Sequence, residues 1–153
     1  MTVKVNCITV DCTDTAKVAD FWAEALGWGR RGNIVEPPGG VGPYLEFIEV
    51  PEAKTLKNRL HFGLDTSDLE AEIQRLTALG AELAWEEDFP DHWRYRNVVL
   101  RDPEGNEFCL GTSRAAYIRS IVGDVKAVVG SGDDDRKLVE SLDVLAFHAD
   151  LWG

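Results

Sequence analysis

Two stretches of the chain show the same succession of a strand-like pattern and a helical one. Residues 3–10 have the hydrophobic content of a strand, and the amphipathic segment after them ends at Leu26 and Gly27. The second copy begins with a strand-like segment over residues 59–65 and ends at Gly80. Self-similarity of this kind predicts a duplicated unit whose first strands are equivalent. Within it Cys7 and His61 occupy the same position, which makes them expected partners in a shared cavity.

The hydrophobic stripe of each helical segment gives its predicted bounds. The first stripe recurs at three- and four-residue spacing and consists of Val18, Phe21, Trp22, Ala25 and Leu26. It predicts a helix from about Thr15 to Leu26 that Gly27 ends. In the second copy, Ser67 and Glu70 have the spacing of a capping box, and a similar stripe runs to Gly80.

Strand-like segments follow each helix. In the first unit we predict strands over residues 28–35 and 44–50, separated by a loop rich in Gly and Pro over residues 36–43. The second unit has strand-like segments over residues 81–86, 95–100 and 107–110. The predicted order is strand, helix and three strands, twice over. Alternation places Glu46 on the opposite face of its strand from Leu45 and Phe47.

The last part of the chain falls outside the repeat. Residues 113–129 fit a helix or an extended segment, and the acidic residues 131–135 suggest a linker. A final apolar stripe then has the spacing of a helix and consists of Leu138, Val139, Leu142, Leu145, Ala146 and Ala149. That face must be buried on the main domain or on a second copy of the chain.

Size and charge limit the functional classes. A chain of 153 residues with 44% hydrophobic content fits one globular domain with an appendage. The net charge of −11 argues against nucleic acid or an anionic membrane as a partner. No run approaches the roughly 20 apolar residues of a membrane span, and the N-terminus lacks a signal-peptide pattern, so a cytoplasmic location is expected. Three cysteines, an odd number, fit a reducing compartment.

Several motifs together resemble the glyoxalase/bleomycin-resistance/dioxygenase (vicinal oxygen chelate) superfamily, and its glyoxalase-like branch in particular. The motifs are Val-Asp-Cys-Thr-Asp at residues 10–14, Phe-Trp at 21–22, Leu-Gly-Trp at 26–28, Lys-Asn-Arg-Leu-His at 57–61 and Asp-Pro-Glu-Gly-Asn-Glu-Phe-Cys at 102–109. The resemblance covers residues 3–111. It implies an α+β domain over residues 1–112, in which two βαβββ units (about 1–52 and 57–112) form a curled, half-open mixed sheet around a central cavity. Residues 113–153 would be a helical extension, and a homodimer is expected.

The resemblance also implies four inward positions where enzymes of the superfamily hold a divalent metal. They fall on Cys7, Glu46, His61 and Cys109, and only Glu46 and His61 match the usual ligand types. Two thiolates, an imidazole and a carboxylate are an acceptable ligand set for Zn²⁺. Alternatively, the cysteines are small buried hydrophobic residues and no metal binds. Glu46 and His61 could then act as a general-base pair, and Trp93 could form part of a ligand-binding wall.

Three functions remain open from the sequence. The first is a small-molecule-binding protein that uses the central cavity without the full metal-ligand set, in the manner of bleomycin-resistance proteins. The second is a glyoxalase-like lyase, isomerase or dioxygenase centred on Glu46 and His61. The third is an interaction or regulatory module that acts through residues 113–153.

Overall fold

The computed structural model describes residues 3–87 and 96–131, and of residues 124–131 it describes only the helical backbone. The first unit consists of β1 (Cys7–Cys12), α1 (Thr15–Leu26), β2 (Gly29–Arg31), β3 (Ile34–Glu36) and β4 (Tyr44–Glu49), with a 3-10 turn at Pro38–Gly40. The second consists of β5 (Gly63–Thr66), α2 (Leu69–Ala78), β6 (Glu82–Glu87), β7 (Asn97–Arg101) and β8 (Glu107–Thr112), and α3 (Arg114–Ser131) follows it.

The predicted α+β fold of two βαβββ units is confirmed. Each unit forms one four-stranded mixed sheet, in the order β1-β4-β3-β2 for the first and β5-β8-β7-β6 for the second. The first strand of each unit is parallel to the last, and the remaining pairs are antiparallel. No helix in the described part of the chain has the length and apolar content to cross a bilayer.

Three strand predictions differ from the structure. The single strand predicted over residues 28–35 is a hairpin, β2 and β3, because the chain turns at Gly32 with a φ of 64°. This hairpin supplies the third strand of the first unit. The strand predicted from Val3 begins only at Cys7. Its pairing with β4 starts next to that point, where the Asn6 carbonyl accepts from the Tyr44 N–H. In the second unit β5 begins at Gly63, so the predicted strand residue His61 precedes it.

The helix of each unit begins at an aspartate cap. The Asp14 carboxylate accepts from the Lys17 N–H at 3.0 Å, and Gly27 ends α1 in the left-handed conformation with a φ of 64°. The capping box predicted at Ser67 and Glu70 is wrong. The cap of α2 is Asp68, whose carboxylate accepts from the Ala71 N–H at 3.1 Å, because the helix starts one residue later than the box requires.

One hydrophobic core joins the two units. It contains buried residues of α1, β3 and β4 from the first unit and of α2, β7 and β8 from the second. At its centre Trp22 lies 4.9 Å from Phe62 and 5.1 Å from Phe108, measured between ring centroids. Aromatic pairs at this spacing and near-perpendicular angle are favourable. The helix of the first unit therefore packs directly on the strands of the second.

Polar contacts fix the same arrangement from both ends of α1. At its start, the Glu104 carboxylate accepts from the Thr13 N–H and hydroxyl, each at 2.9 Å. At its end, the Arg75 guanidinium donates to the carbonyls of Glu24 and Ala25 at 3.1 and 2.8 Å. The last carbonyls of a helix have no partner within it, so a cation at that end is stabilising.

The segment after the repeat is partly described. The sequence left residues 113–129 open between helix and extended structure. Residues 114–131 form α3, and at its start the Ser113 hydroxyl accepts from the Ala116 N–H at 3.3 Å. Tyr117 and Ile121 of this helix are buried. The linker predicted over residues 131–135 and the final helix predicted around Leu138–Ala149 lie outside the described residues, apart from Ser131.

Candidate functional site

One face of each sheet packs on the shared core. We call the opposite face the inner face, because it carries positions that the sequence analysis expected to point inward. In β4, Leu45 and Phe47 enter the core, whereas Tyr44 and Glu46 lie on the inner face, as the alternation predicts. In the second sheet Val98 and Leu110 enter the core. The cross-strand pair Val99 and Cys109 therefore lies on the inner face.

The inner face of the first sheet carries two of the predicted site residues. Cys7 pairs across the ladder with Tyr44, and Thr9 pairs with Glu46. A hydrogen bond to the Cys7 thiol, and then the charge of that group, raises the pKa of the Tyr44 phenol. Cys7 and Glu46 are only partly buried, so this face is accessible to solvent at both positions.

Residues 51–62, which we call the connector, lie against the inner face of the second sheet at Glu107 and Trp85. Lys54 Nζ lies 3.0 Å from Glu107 Oε2, and the Asn58 N–H donates to the same oxygen at 3.0 Å. Farther along the sheet, Lys57 Nζ lies 4.8 Å from the centre of the Trp85 ring, a cation–π contact. The connector thus reaches from β8 to β6, and Val99 between them is 2% exposed.

Glu107 is the most strongly perturbed carboxylate in the described part of the chain. Burial alone would raise its pKa, but the Asn58 amide and the Lys54 ammonium more than offset this and lower the pKa to about 2. The group is ionised at neutral pH. It can accept a hydrogen bond from a ligand, but it cannot act as a general acid there.

A cavity of about 180 Å³ lies between the two units, where β1 faces the end of the connector. Most of its wall is apolar, and the rest carries hydroxyl, amide, imidazole and carboxylate groups. The lining residues are Ile8, Thr9, Val10, Trp22, Asn58, Leu60, His61, Phe62, Asp102, Asn106 and Glu107. Mostly apolar cavities with a few fixed polar groups are typical ligand sites.

Hydrogen bonds hold the polar wall of this cavity in place. Asn58 Nδ2 donates to Asn106 Oδ1 at 3.4 Å, and Asn106 Nδ2 donates to Asp102 Oδ2 at 3.1 Å. Trp22 Nε1 donates to the same Asp102 oxygen at 3.1 Å. A wall whose members are connected in this way presents its polar groups in a fixed geometry and needs little reorganisation to receive a ligand.

The structure does not gather the four positions that the resemblance implied for a metal. His61 lines the cavity between the units, whereas Cys7 and Glu46 lie on the inner face of the first sheet and Cys109 on that of the second. Among residues 3–87 and 96–131, no three His, Cys, Asp or Glu side chains come together as metal ligands. The described donor groups therefore form no cluster of three metal ligands, and no step of the proposed function depends on a metal.

Trp93, predicted as a binding wall, lies outside the described residues. Sequence reasoning missed the cavity residues Thr9, Asn58 and Glu107. The signal for Glu107 was its place at the start of the last strand, directly after the tight turn at residues 102–106.

The three cysteines differ in their expected reactivity. Cys12 is 3% exposed, and burial together with the nearby Glu104 and Asp102 raises the pKa of its thiol to about 11. Since only the thiolate reacts, we expect iodoacetamide at pH 8 to label the partly exposed Cys7 and Cys109 at least tenfold faster than Cys12. Peptide mass spectrometry measures these rates. Equal labelling of all three in the folded protein would contradict this placement of Cys12, and labelling in denaturant is the control.

Comparison with known proteins identifies the family of this domain. A family model described as "Glyoxalase-like domain" matches residues 7–111. No curated protein sequence matches the chain significantly.

Solved structures show the same fold at low identity. A glyoxalase/bleomycin resistance protein/dioxygenase family enzyme from Burkholderia phytofirmans PsJN has 19% identity and a TM-score of 0.56, over 72% of this chain and 98% of that one. TnmS3, an antibiotic binding protein from Streptomyces sp. CB03234, has 24% identity and a TM-score of 0.51, over 72% and 96%. The fosfomycin resistance protein FosX of Listeria monocytogenes, in complex with Mn(II) and 1S,2S-dihydroxypropylphosphonic acid, has 16% identity and a TM-score of 0.57, over 78% and 98%.

Proposed function

This chain belongs to the glyoxalase-like domain family, and on that premise we propose that it binds a compact small molecule in the cavity between its two units. The observation that carries the proposal is the cavity itself, which combines an apolar wall around Trp22 and Phe62 with a fixed polar edge at Asn58 and Glu107. The description of the similar TnmS3 as an antibiotic binding protein is consistent with such a role.

The volume and chemistry of the cavity indicate the kind of ligand. Engineered apolar cavities of about 150 Å³ hold a single benzene ring, so 180 Å³ fits a molecule built on one ring. Because Glu107 is ionised, the polar edge favours a ligand that donates a hydrogen bond, such as a phenol or an amine. Binding needs no metal in this account.

A substitution at the cavity mouth tests the proposal. Leu60 lines the cavity yet is 75% exposed, so Leu60→Trp is expected to block the entrance without disturbing the core. The chain offers a matched control in Leu56→Trp, which changes an 80% exposed leucine of the same connector that does not line the cavity. With 4-fluorophenol as probe and ¹⁹F NMR as readout, we expect Leu60→Trp to weaken binding at least tenfold and Leu56→Trp to leave it unchanged. Equal affinity of both variants would contradict the assignment.

Several sequence-based expectations stay predictions. They are the cytoplasmic location, the homodimer, the general-base pair of Glu46 and His61, the metal-dependent lyase, isomerase or dioxygenase, and the regulatory role of residues 113–153.

A further inference from the structure

The connector is held by side chains although none of its residues belongs to a helix or strand. One carboxylate oxygen of Glu107 accepts from both Lys54 and Asn58, which fixes the stretch from Lys54 to Asn58 at both ends. Lys54 is 19% exposed and Glu107 is 7% exposed at the side chain. Removing one partner of a charge pair this far removed from water is costly, because the remaining charge is left buried and unpaired.

The same connector forms one side of the cavity. Asn58, whose amide is bonded to Glu107, lines it, and so do Leu60 and His61 further along. Glu107 itself lines the cavity from β8. The opposite side consists of β1 and Trp22, which belong to the first unit and to the shared core. The connector is therefore one wall without regular secondary structure, besides the turn at residues 102–106, and Glu107 bonds to it at Lys54 and Asn58.

We propose that the connector is a strap over the ligand cavity and that Glu107 is its latch. The cavity mouth at Leu60 belongs to the same connector, so it widens for a ligand only when the contacts of Glu107 with Lys54 and Asn58 open, and these contacts set the rate of ligand exchange. This inference rests on the proposed function, because it concerns the same cavity. Glu107 is thus assigned as a gating residue, in addition to forming part of the polar edge.

Glu107→Gln provides the test, because glutamine keeps the shape of the side chain and removes its charge. Hydrogen exchange of the amides in residues 51–62, measured by mass spectrometry without any ligand, is expected to become about tenfold faster or more, since hydrogen bonds to charged groups are the stronger kind. The control is Glu36→Gln, which removes an exposed ion pair with Arg31 and should leave exchange in the connector unchanged. Lys54→Met removes the latch from the other side and gives a second variant if Glu107→Gln folds poorly.

The probe then separates gating from binding. With 4-fluorophenol, the exchange rate from ¹⁹F line shapes is expected to rise about tenfold in Lys54→Met relative to Glu36→Gln, because Lys54 holds Glu107 but does not line the cavity. Unchanged hydrogen exchange in both latch variants would overturn the latch. Faster hydrogen exchange with an unchanged probe exchange rate would overturn the gating role while leaving the binding site intact. If the probe does not bind to the wild-type protein, the proposed function and the gating role are both overturned. Hydrogen exchange would still decide whether Glu107 holds the connector.

Discussion

Replacing Trp22 with alanine is expected to lower the free energy of unfolding by about 3–5 kcal/mol, the usual cost of removing a large buried aromatic side chain. Trp22 is 2% exposed, and its ring packs against aromatic rings of both units. Its indole N–H also donates to the buried Asp102 carboxylate at 3.1 Å. The substitution therefore opens a void where the two units meet and removes one donor from a buried charge.

Chemical denaturation measures this effect, and the chain contains a suitable control. Trp85 is 38% exposed on β6, so Trp85→Ala should cost about 1 kcal/mol or less. Trp22→Phe keeps most of the packing and removes the hydrogen bond to Asp102. We expect it to lower the free energy of unfolding by about 1–3 kcal/mol. Equal losses for Trp22→Ala and Trp85→Ala would show that Trp22 does not join the two units as described.

Acid is expected to remove about 3 kcal/mol of stability through Glu107 alone. The folded state lowers the pKa of this carboxyl from 4.5 to about 2, and each pKa unit corresponds to about 1.4 kcal/mol. Since the folded pKa is depressed, the stabilisation is fully present above about pH 4.5. It is lost as the pH falls from 4.5 through 2, because the unfolded state takes up the proton first.

Comparison with Glu107→Gln isolates this contribution from the other acidic residues of a chain with net charge −11. The difference in unfolding free energy between the wild-type protein and the variant should narrow by about 3 kcal/mol between pH 5 and pH 2. Urea denaturation at a series of pH values measures it. A difference that stays constant over this range would mean that Lys54 and Asn58 do not stabilise the ionised carboxylate.

The sequence predicted the fold well because its signals were local. The helix from Thr15 to Leu26 was predicted at the observed bounds, since the hydrophobic stripe and the glycine stop agree with the cap that Asp14 forms in the structure. The errors also have local causes. The turn at Gly32 was overlooked within a strand-like composition, and the cap of α2 depends on which of two neighbouring side chains, Ser67 or Asp68, meets the free amides.

The candidate site was less predictable because it is made by packing between distant segments. Lys54 and Asn58 contact Glu107, which lies about 50 residues later in the sequence, and no periodicity indicates that pairing. His61, which the repeat marked, lines the cavity between the units, and its role there stays a prediction. Its expected partner Cys7 has instead the phenol of Tyr44 as its neighbour across the ladder.

A ¹H–¹⁵N correlation spectrum recorded during a titration with 4-fluorophenol tests the central claim most directly, because it locates bound ligand residue by residue. If the cavity between the units is the binding site, saturable shifts will be largest for the amides of residues 8–10 and 58–62, with a smaller response at Glu107. Cys7 and Glu46 do not line this cavity, so a response centred on the inner face of the first sheet, or no saturable shift at any amide, would contradict the account.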